Sequence, residues 1–351
     1  MRVRMKMWLA AFAVVAVGLV VLATDQPEIV IKFAHSDAPD WHISKKHAMA
    51  LTIKSYVESM TGGRVRVDIY PAGELGGERE YCEGIITGAI EMGTLSGPMA
   101  MFFPPAMVLD IPYIFPNFAV ARQVLDGWFG QKLSEALYQE LHVYNFAFGE
   151  TGFRNFTNNV RPIHTPDDME GLKIRVMESP IYMRMVEALG ATPTPIAWTE
   201  VYSALQTGVV DGQENPVATI IYAKLYEVQK YLTLDGHSYG ADWILINGDF
   251  YESLPEEIQR ILREAVHIGA TAGRALQQIP TLFDPGIPFL QEQGMEIYAP
   301  TSEELAQFRA LAQPPVIEWL QTQIDVHWIE DLQQAVREAE EEIYGGPFAR
   351  H

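Results

Sequence analysis

This chain of 351 residues has almost no cysteine and few positively charged residues compared with negatively charged ones. Cys82 is the single cysteine, which excludes an internal disulfide and any cysteine cluster that could hold a metal. Lysine and arginine number 25 against 45 aspartates and glutamates, a formal net charge of −20. Such an acidic chain does not bind nucleic acid by counterion release, and any anion site must be a local basic focus.

The common catalytic and cofactor motifs are also missing. The sequence contains no G-x-S-x-G, H-E-x-x-H, P-loop or Rossmann fingerprint. Its nine histidines are scattered without metal-ligand spacing; His42 and His47, five apart, do not share a helix face. We therefore expect no metal, no cofactor and no catalytic residue, although missing motifs do not exclude an enzyme.

One long hydrophobic run is present, at the N-terminus. Trp8 to Ala23 is an uncharged, largely apolar run of 16 residues that follows the cations Arg2, Arg4 and Lys6. This pattern predicts a signal peptide over residues 1–23 and export to the periplasm, with an uncleaved anchor as the alternative. Because no cysteine directly follows the run, a lipid anchor is not expected. Removal of those three cations would move the formal charge from −20 to about −23.

Length and composition indicate about two domains with real cores, since 48% of the residues are hydrophobic. Strand-like and helix-like segments alternate along the chain, which predicts an α/β fold with a largely parallel sheet. The predicted strands are 29–34, 65–70, 88–95, 108–113, 143–148, 172–176, 208–211 and 243–247. The predicted helices are 45–60, one that ends at residue 86, 180–189, 199–207, 216–230, 302–313 and 316–341.

A further predicted helix is unusually long. Ser253 is placed as its N-cap, Pro255 falls in the first turn, and the apolar spacing continues to about Ile279. At 1.5 Å per residue it would extend over roughly 40 Å. This length is sufficient to bridge two lobes.

Arg175 is the first candidate for binding. Leu172, Ile174 and Val176 alternate with charged residues as in a half-buried strand, and Pro180 opens the next helix. Arg175 thus lies near the carboxyl end of a strand, where open α/β sheets bind ligands. Its planar guanidinium fits a carboxylate through two parallel hydrogen bonds. The alternative is a structural ion pair with a nearby acid, Glu178 or Asp211.

Three segments carry a resemblance to a known family. They are GLKIRV (171–176), GATPTPIAWTEVYSALQTGVVDGQENP (190–216) and LYEVQKYL (225–232). Together they resemble the solute-binding subunits of TRAP transporters, the DctP-like periplasmic receptors, and weaker likeness extends from Ile29 to about Pro288. The resemblance implies a two-lobed periplasmic binding protein fold with a ligand cleft between the lobes and one long helix packed across both. It places lobe I at 24–152 plus about 241–280, and lobe II at 153–240 plus about 281–351.

The resemblance also implies binding roles. Arg175 would clamp the ligand carboxylate, with Arg154 as a second ligand-facing arginine, Asn215 as an amide contact and Trp198 as an aromatic wall of the cleft. Alternatives remain for three of them: a surface arginine on a turn for Arg154, an N-cap before Pro216 for Asn215, and plain core for Trp198. Further candidates lie at the end of the first strand, on loops of the first lobe, and where the chain passes between the lobes for the second time. They are His35 and Ser36, then Glu74, Glu78 and Ser96, and last Tyr239.

The function implied by the resemblance is capture of a small organic acid by its carboxylate and delivery to a TRAP membrane permease driven by an ion gradient. Such receptors are mostly monomers and some dimerise, so a monomer is expected and a dimer stays open. Two alternatives remain: an exported α/β enzyme acting on an organic acid, and a ligand receptor for a sensor kinase. The identity of the acid stays open.

Overall fold

Nine β-strands form one mixed sheet at the centre of the computed structural model, which describes residues 27–282 and 285–345. Their order across the sheet is β2-β1-β3-β8-β4-β7-β5-β6, and β9 pairs with β8. The strands are β1 Ile29–His35, β2 Val65–Tyr70, β3 Met92–Leu95, β4 Val143–Asn158, β5 Lys173–Val176, β6 Thr192–Pro195, β7 Gly212–Asn215, β8 Tyr231–Asn247 and β9 Glu296–Tyr298. The predicted signal peptide, 1–23, lies outside the described residues.

Helices cover the sheet and connect its strands. The α-helices are α1 Lys45–Met60, α2 Glu78–Ile86, α3 Phe118–Asp126, α4 Trp128–Leu141, α5 Pro180–Ala188, α6 Val201–Gln206, α7 Val217–Tyr222, α8 Gly248–Ser253, α9 Glu256–Leu282, α10 Gly286–Glu292, α11 Ser302–Leu320 and α12 His327–Tyr344. Short 3-10 helices lie at Gly97–Met101, Pro104–Asp110, Pro166–Met169, Trp198–Glu200 and Leu225–Glu227. None of the helices in the described part of the chain combines the length and the apolar character needed to cross a membrane.

The sheet has two parallel units joined by two long strands. At one end β1 pairs in parallel with β2 and β3, and at the other end β5 pairs in parallel with β6 and β7. Between them the long strands β4 and β8 run antiparallel to each other, with register shifts near Gly152 and Arg154. The α/β prediction is confirmed, and the carboxyl ends of two separate parallel units are available to form a site.

Strand β6 contains two prolines, Pro193 and Pro195, a composition that usually argues against a strand. Its position explains the exception, because β6 is the last strand of the sheet order and pairs only with β5. At such an edge, a residue without an N–H costs no ladder hydrogen bond. The strand was not predicted from the sequence.

Several predicted elements differ from the structure in type or in bounds. The segment 108–113 is not a strand: Pro104 and Pro105 start a 3-10 helix that ends at Asp110. The strand predicted at 208–211 begins only at Gly212. The helix predicted for 216–230 ends at Tyr222, because Lys224 adopts the left-handed conformation with φ of 54°.

Another error concerns the start of the long helix. Ser253 ends α8, and α9 begins at Glu256. The 27 residues of α9 correspond to roughly 40 Å. Near its middle it crosses α1 at close range, since a Cβ on Gly269 would lie 2.6 Å from Cγ1 of Ile53. Towards its end it packs against α7 and α10, and Gln277 donates to the carbonyl of Thr151. The helix thus contacts both parallel units of the fold.

The C-terminal helix α12 returns to the first half of the chain. Its residues Glu338 and Asp331 bind Trp128 and Lys132 of α4, and Trp328 stacks edge-on with Phe129. The predicted division assigned residues 118–141 to lobe I and the C-terminal residues to lobe II. The segment 327–344 therefore packs on residues that this division places in the other lobe.

Candidate ligand-binding site

The carboxyl ends of four parallel strands meet at one small cavity. Ser36 follows β1, Ser96 follows β3, Met177 follows β5, and Asn215 ends β7. Two of these strands belong to one parallel unit and two to the other, so the cavity lies between the units. This is the edge of an α/β sheet at which ligands usually bind.

Arg175 of β5 is 2% exposed, and one side of its guanidinium lacks a partner. Nε and Nη2 donate to the carbonyl oxygen of Ile196, at 2.8 and 2.6 Å. Nη1 is buried and has no hydrogen-bond partner. The carbonyl thus fixes one edge of the fork and leaves the edge formed by Nη1 and Nη2 for a planar anion such as a carboxylate.

The surroundings of Arg175 do not neutralise its charge. Burial lowers the pKa of Arg175 to about 10, against the opposing influence of Glu214, so the side chain stays protonated at neutral pH. Among the described residues no carboxylate forms an ion pair with it: Asp211 instead accepts the backbone N–H of Lys173, at 2.8 Å. The ion-pair alternative for Arg175 is therefore wrong.

Arg154 of β4 is also buried, at 1% exposure, but its charge is compensated. Nε and Nη2 bind the two carboxylate oxygens of Glu214, and Nη2 also donates to the Glu214 carbonyl, at 2.7 Å. Burial alone would raise the pKa of Glu214, but the Arg154 charge holds it down at about 2. The alternative of a surface arginine on a turn is wrong, because Arg154 is buried in a central strand.

Behind Arg154 a histidine joins two acids. Nδ1 of His237 lies 2.8 Å from Oδ2 of Asp235, and Nε2 lies 3.3 Å from Oε2 of Glu214. Burial disfavours the charged ring, but the two carboxylates outweigh it and raise the pKa of His237 to about 9. The group around Arg154 is thus held together by its own charges.

Asn215 and Trp198 both line the cavity beside Arg175. Asn215 is the last residue of β7, and its amide Nδ2 donates to Oε1 of Gln213 at 2.5 Å. It does not cap the helix, since Pro216 is the N-cap residue of α7 and no side chain caps it. The half-buried Trp198 places its ring centroid 6.0 Å from Cζ of Arg175, within range of a cation–π interaction.

Two lysines of α1 form part of the opposite wall. Ser44 caps the helix by accepting the N–H of His47, which places Lys45 and Lys46 in the first turn. A helix N-terminus disfavours cations, so lysines there need partners of their own. Lys45 binds Asp242 and Thr151, and Lys46 binds Glu78 and lies 3.8 Å from Asp242.

Glu78, at the start of α2, connects the polar side chains of this wall. Its Oε1 accepts the hydroxyl of Ser36 at 2.8 Å, and its Oε2 accepts the backbone N–H of Ser96 at 3.3 Å. Burial would raise the pKa of Glu78, but Lys46 and these hydrogen bonds lower it below its usual value. The carboxylate therefore stays charged beside the cavity.

Asp37 completes the wall without a lysine of its own. Its two carboxylate oxygens accept the hydroxyls of Tyr222, at 3.0 Å, and of Ser44, at 3.2 Å. Thr219 of α7 also lines the cavity, and its Oγ1 is buried without a hydrogen-bond partner. The wall thus offers donors and acceptors in close succession. No group of three or more His, Cys, Asp or Glu side chains in the described residues is arranged to hold a metal ion.

Comparison with known proteins assigns the chain to a family. The sequence profile of "Bacterial extracellular solute-binding protein, family 7", known as DctP, matches residues 34–322. The chain belongs to this family. One relative, the C4-dicarboxylate-binding periplasmic protein DctP of Rhodobacter capsulatus, is 36% identical over 255 residues, which cover 72% of this chain and 74% of that protein.

Solved structures of TRAP periplasmic solute-binding proteins share the fold of this family 7 chain. The sugar acid binding protein of Advenella mimigardefordensis, in complex with galactonate, matches with a TM-score of 0.83 and 30% identity, over 88% of this chain and 98% of that one. A TRAP periplasmic solute-binding protein of a Polaromonas species, bound to D-erythronate, matches with a TM-score of 0.81 and 32% identity, over 87% and 98%. The resemblance to DctP-like receptors seen in the sequence is thereby confirmed.

The structure of this family 7 protein brings most of the predicted site residues together. Seven of them line the cavity: Arg175, Asn215, Arg154, Trp198, Ser36, Glu78 and Ser96. Three other candidates do not line it. Glu74 is exposed on the loop before α2. His35 lies beneath the wall, with Nε2 at 3.1 Å from Nδ1 of His47, and Tyr239 packs in the core, where its hydroxyl donates to Glu150 at 2.9 Å.

Sequence reasoning missed Lys45, Lys46 and Asp37 as residues of the site. A signal was present for Lys45 and Lys46, since two consecutive cations follow the N-cap Ser44 where acidic residues are preferred. Asp37 directly follows the predicted contact Ser36 at the end of β1. Glu214 gave no local signal, because its partners Arg154 and His237 lie 60 and 23 residues away in the sequence. His237 has one neighbour in sequence as a partner, Asp235, but its second partner is the distant Glu214.

Proposed function

We propose that this protein is the receptor subunit of a TRAP-type transporter and captures a small organic acid by its carboxylate. The observation that carries the proposal is the buried Arg175, whose Nη1 faces no protein partner in a cavity between the two parallel units. A buried cation without a partner is costly, and a ligand carboxylate would remove that cost when it binds. The ligand would then supply the missing counter-ion.

The names of similar proteins support a carboxylate ligand. Galactonate and D-erythronate, bound by two structures of the same fold, and the C4-dicarboxylates named for the Rhodobacter relative all carry at least one carboxylate. Their other groups differ. An arginine that recognises the shared carboxylate, with a variable wall opposite, accounts for both facts.

In this proposal Arg175 clamps the carboxylate while Asn215 and Arg154 border it. Trp198, Ser36, Glu78 and Ser96 contact the rest of the ligand. The protein is exported by its N-terminal segment, acts as a monomer in the periplasm, and catalyses no reaction. Closure of two lobes around the ligand, by bending of β4 and β8 near the paired Gly152 and Gly240, produces the form that a membrane permease accepts.

The test is a thermal-shift screen of the purified protein against small organic acids, sugar acids and neutral sugars. A ligand at about 100 times its dissociation constant adds roughly 2.7 kcal/mol and should raise the midpoint by a few degrees. We expect shifts with carboxylates only. We also expect Arg175→Ala to abolish them, and Arg175→Lys to weaken them strongly because it loses the planar fork.

Glu74→Gln is the matched control, since Glu74 is exposed outside the cavity. It should bind each acid as the unsubstituted protein does. Shifts with neutral sugars alone, unchanged in Arg175→Ala, would overturn the proposal. Conversion of a bound acid to a product, detected by mass spectrometry of the recovered ligand, would instead favour an exported enzyme.

A further inference from the structure

The wall opposite Arg175 has no cation to spare for a second anion. Lys45 and Lys46 are both buried, and each already binds a carboxylate, Asp242 and Glu78 respectively. Arg154 is a third cation of the cavity, and it binds Glu214. Arg175 is therefore the single buried cation among the described cavity residues that lacks a carboxylate partner.

The same wall carries an excess of negative charge. Its two lysines face three carboxylates, those of Asp37, Glu78 and Asp242, so two positive and three negative groups give a formal charge of −1. Asp37 has the hydroxyls of Tyr222 and Ser44 as partners, and neither is charged. A second ligand carboxylate placed here would meet like charge beside buried carboxylates, which is unfavourable.

Hydroxyl groups fit this wall better than charged groups do. Glu78 and Asp37 accept hydrogen bonds, Lys46 donates, and the hydroxyls of Ser36 and Thr219 can do both. Oγ1 of Thr219 is buried and still without a partner, so a ligand hydroxyl can satisfy it. An ammonium group only donates and would lie close to two lysines, whereas hydroxyls donate and accept.

We infer that the ligand is a polyhydroxylated monocarboxylate, with its carboxylate on Arg175 and its hydroxyls on the wall formed by Asp37, Lys46, Glu78 and Thr219, and that dicarboxylates are rejected. This inference rests on the proposed function and specifies its ligand class. The rejection arises because a second carboxylate would be buried without a free cation. The chain would thus differ in its ligand from its C4-dicarboxylate-binding relative.

The first test compares four-carbon acids that differ in their hydroxyl groups and in whether the far end carries a second carboxylate. Calorimetry should find D-erythronate, with one carboxylate and three hydroxyls, binding at least about tenfold more tightly than succinate or malate, a ratio that corresponds to 1.4 kcal/mol. Butyrate, which has the carboxylate alone, should also bind more weakly than D-erythronate. Succinate or malate binding as tightly as the hydroxy acid would overturn the inference.

The second test frees a cation on the wall. Glu78→Gln removes the nearest carboxylate of Lys46 and leaves only the contact of 3.8 Å to Asp242, so the lysine becomes available for a second carboxylate. We expect the ratio of D-erythronate to malate affinity to fall by about tenfold or more, since a charge-assisted pair replaces a repulsion. Asp37→Asn, which removes the excess negative charge without freeing a lysine, should shift the ratio in the same direction by less.

Glu74→Gln is the charge-matched control and should leave the ratio unchanged. If Glu78→Gln does not fold, Asp37→Asn decides, because both partners of Asp37 are hydroxyls: the amide oxygen can accept from one, and the amide nitrogen can donate to the oxygen of the other. An unchanged ratio in the folded variants contradicts the inference. Failure of the inference and of the proposed function are distinguishable: a dicarboxylate that binds tightly through Arg175 refutes the first and leaves the second intact, whereas absence of any Arg175-dependent acid binding refutes both.

Discussion

The two buried arginines of the cavity lie in opposite electrostatic surroundings. Arg154 holds the carboxylate of Glu214 in a two-pronged contact, and this raises the pKa of Arg154 above its usual value despite burial. Arg175 has only the carbonyl of Ile196, and burial lowers its pKa to about 10. The same side chain, equally buried, is thus compensated in one strand and uncompensated in another.

This difference separates two roles. A buried arginine with its own carboxylate contributes to the folded structure, and removing one partner leaves the other charge unpaired. A buried arginine without a carboxylate weakens the empty protein, and its cost is relieved only when an anion arrives. We therefore assign Arg154 chiefly to the integrity of the site and Arg175 to capture of the ligand.

The largest expected effect is on stability. Arg154→Met should lower the free energy of unfolding by about 3–5 kcal/mol, because it leaves the buried Glu214 with only the longer contact to His237. The matched change Arg175→Met should cost only about 1 kcal/mol in the absence of ligand, since the lost hydrogen bonds to Ile196 are offset by removal of an unpaired charge. Urea unfolding at neutral pH measures both. Equal losses in the two variants would contradict the comparison.

The next effect is a pH dependence around Arg154. The pKa of His237 is about 9 in the folded protein and 6.5 as its ordinary value, so its stabilisation is fully present below pH 6.5 and is lost as the pH rises through 9. His237→Gln should therefore cost about 2 kcal/mol at pH 6 and much less at pH 10. Denaturant titrations at the two values test this, and a cost that does not change with pH would refute it.

Glu214 should show the opposite sign. Its folded pKa of about 2 lies below the ordinary value of 4.5, so its contribution is present above pH 4.5 and declines as the pH falls towards 2. Arg154→Met should remove this part of the acid sensitivity. A variant that loses stability between pH 5 and pH 3 as steeply as the unsubstituted protein would show that the pair does not control it.

The smallest expected effect concerns Trp198, whose ring lies beside Arg175. Trp198→Leu should weaken ligand binding by about 1 kcal/mol, roughly fivefold, because a partly desolvated cation–π contact is lost. Trp41→Leu is the control, since Trp41 is 56% exposed and does not line the cavity. Calorimetry in which the two variants bind alike would remove Trp198 from the account.

Local pattern was sufficient to predict much of the fold. The bounds 45–60 and 65–70 agree with α1 and β2, because apolar spacing and the breaks at Gly62 and Gly63 are local properties. Strand β6 escaped prediction, since the effect of a proline on a strand depends on the position of that strand in the sheet. Whether a proline lies at an edge is a property of the folded chain.

For the candidate site, too, local sequence could not predict the features that depend on contacts in the folded chain. Arg175 was expected from its place at a strand end, and the resemblance supplied Asn215 and Trp198. The partners that distinguish Arg154 from Arg175 are distant in sequence: Glu214 lies 60 residues from Arg154, and Asp242 lies 197 from Lys45. Only the fold reveals which cation has a carboxylate and which does not, so the ligand class could not be predicted beforehand.

The most direct test of the central claim is a crystal structure of the protein with a tightly binding acid from the screen. The account predicts both carboxylate oxygens within about 2.7–2.9 Å of Nη1 and Nη2 of Arg175, with the contacts to Ile196 kept. A carboxylate bound to Lys46 or Arg154, with Nη1 of Arg175 still unpaired, would contradict it.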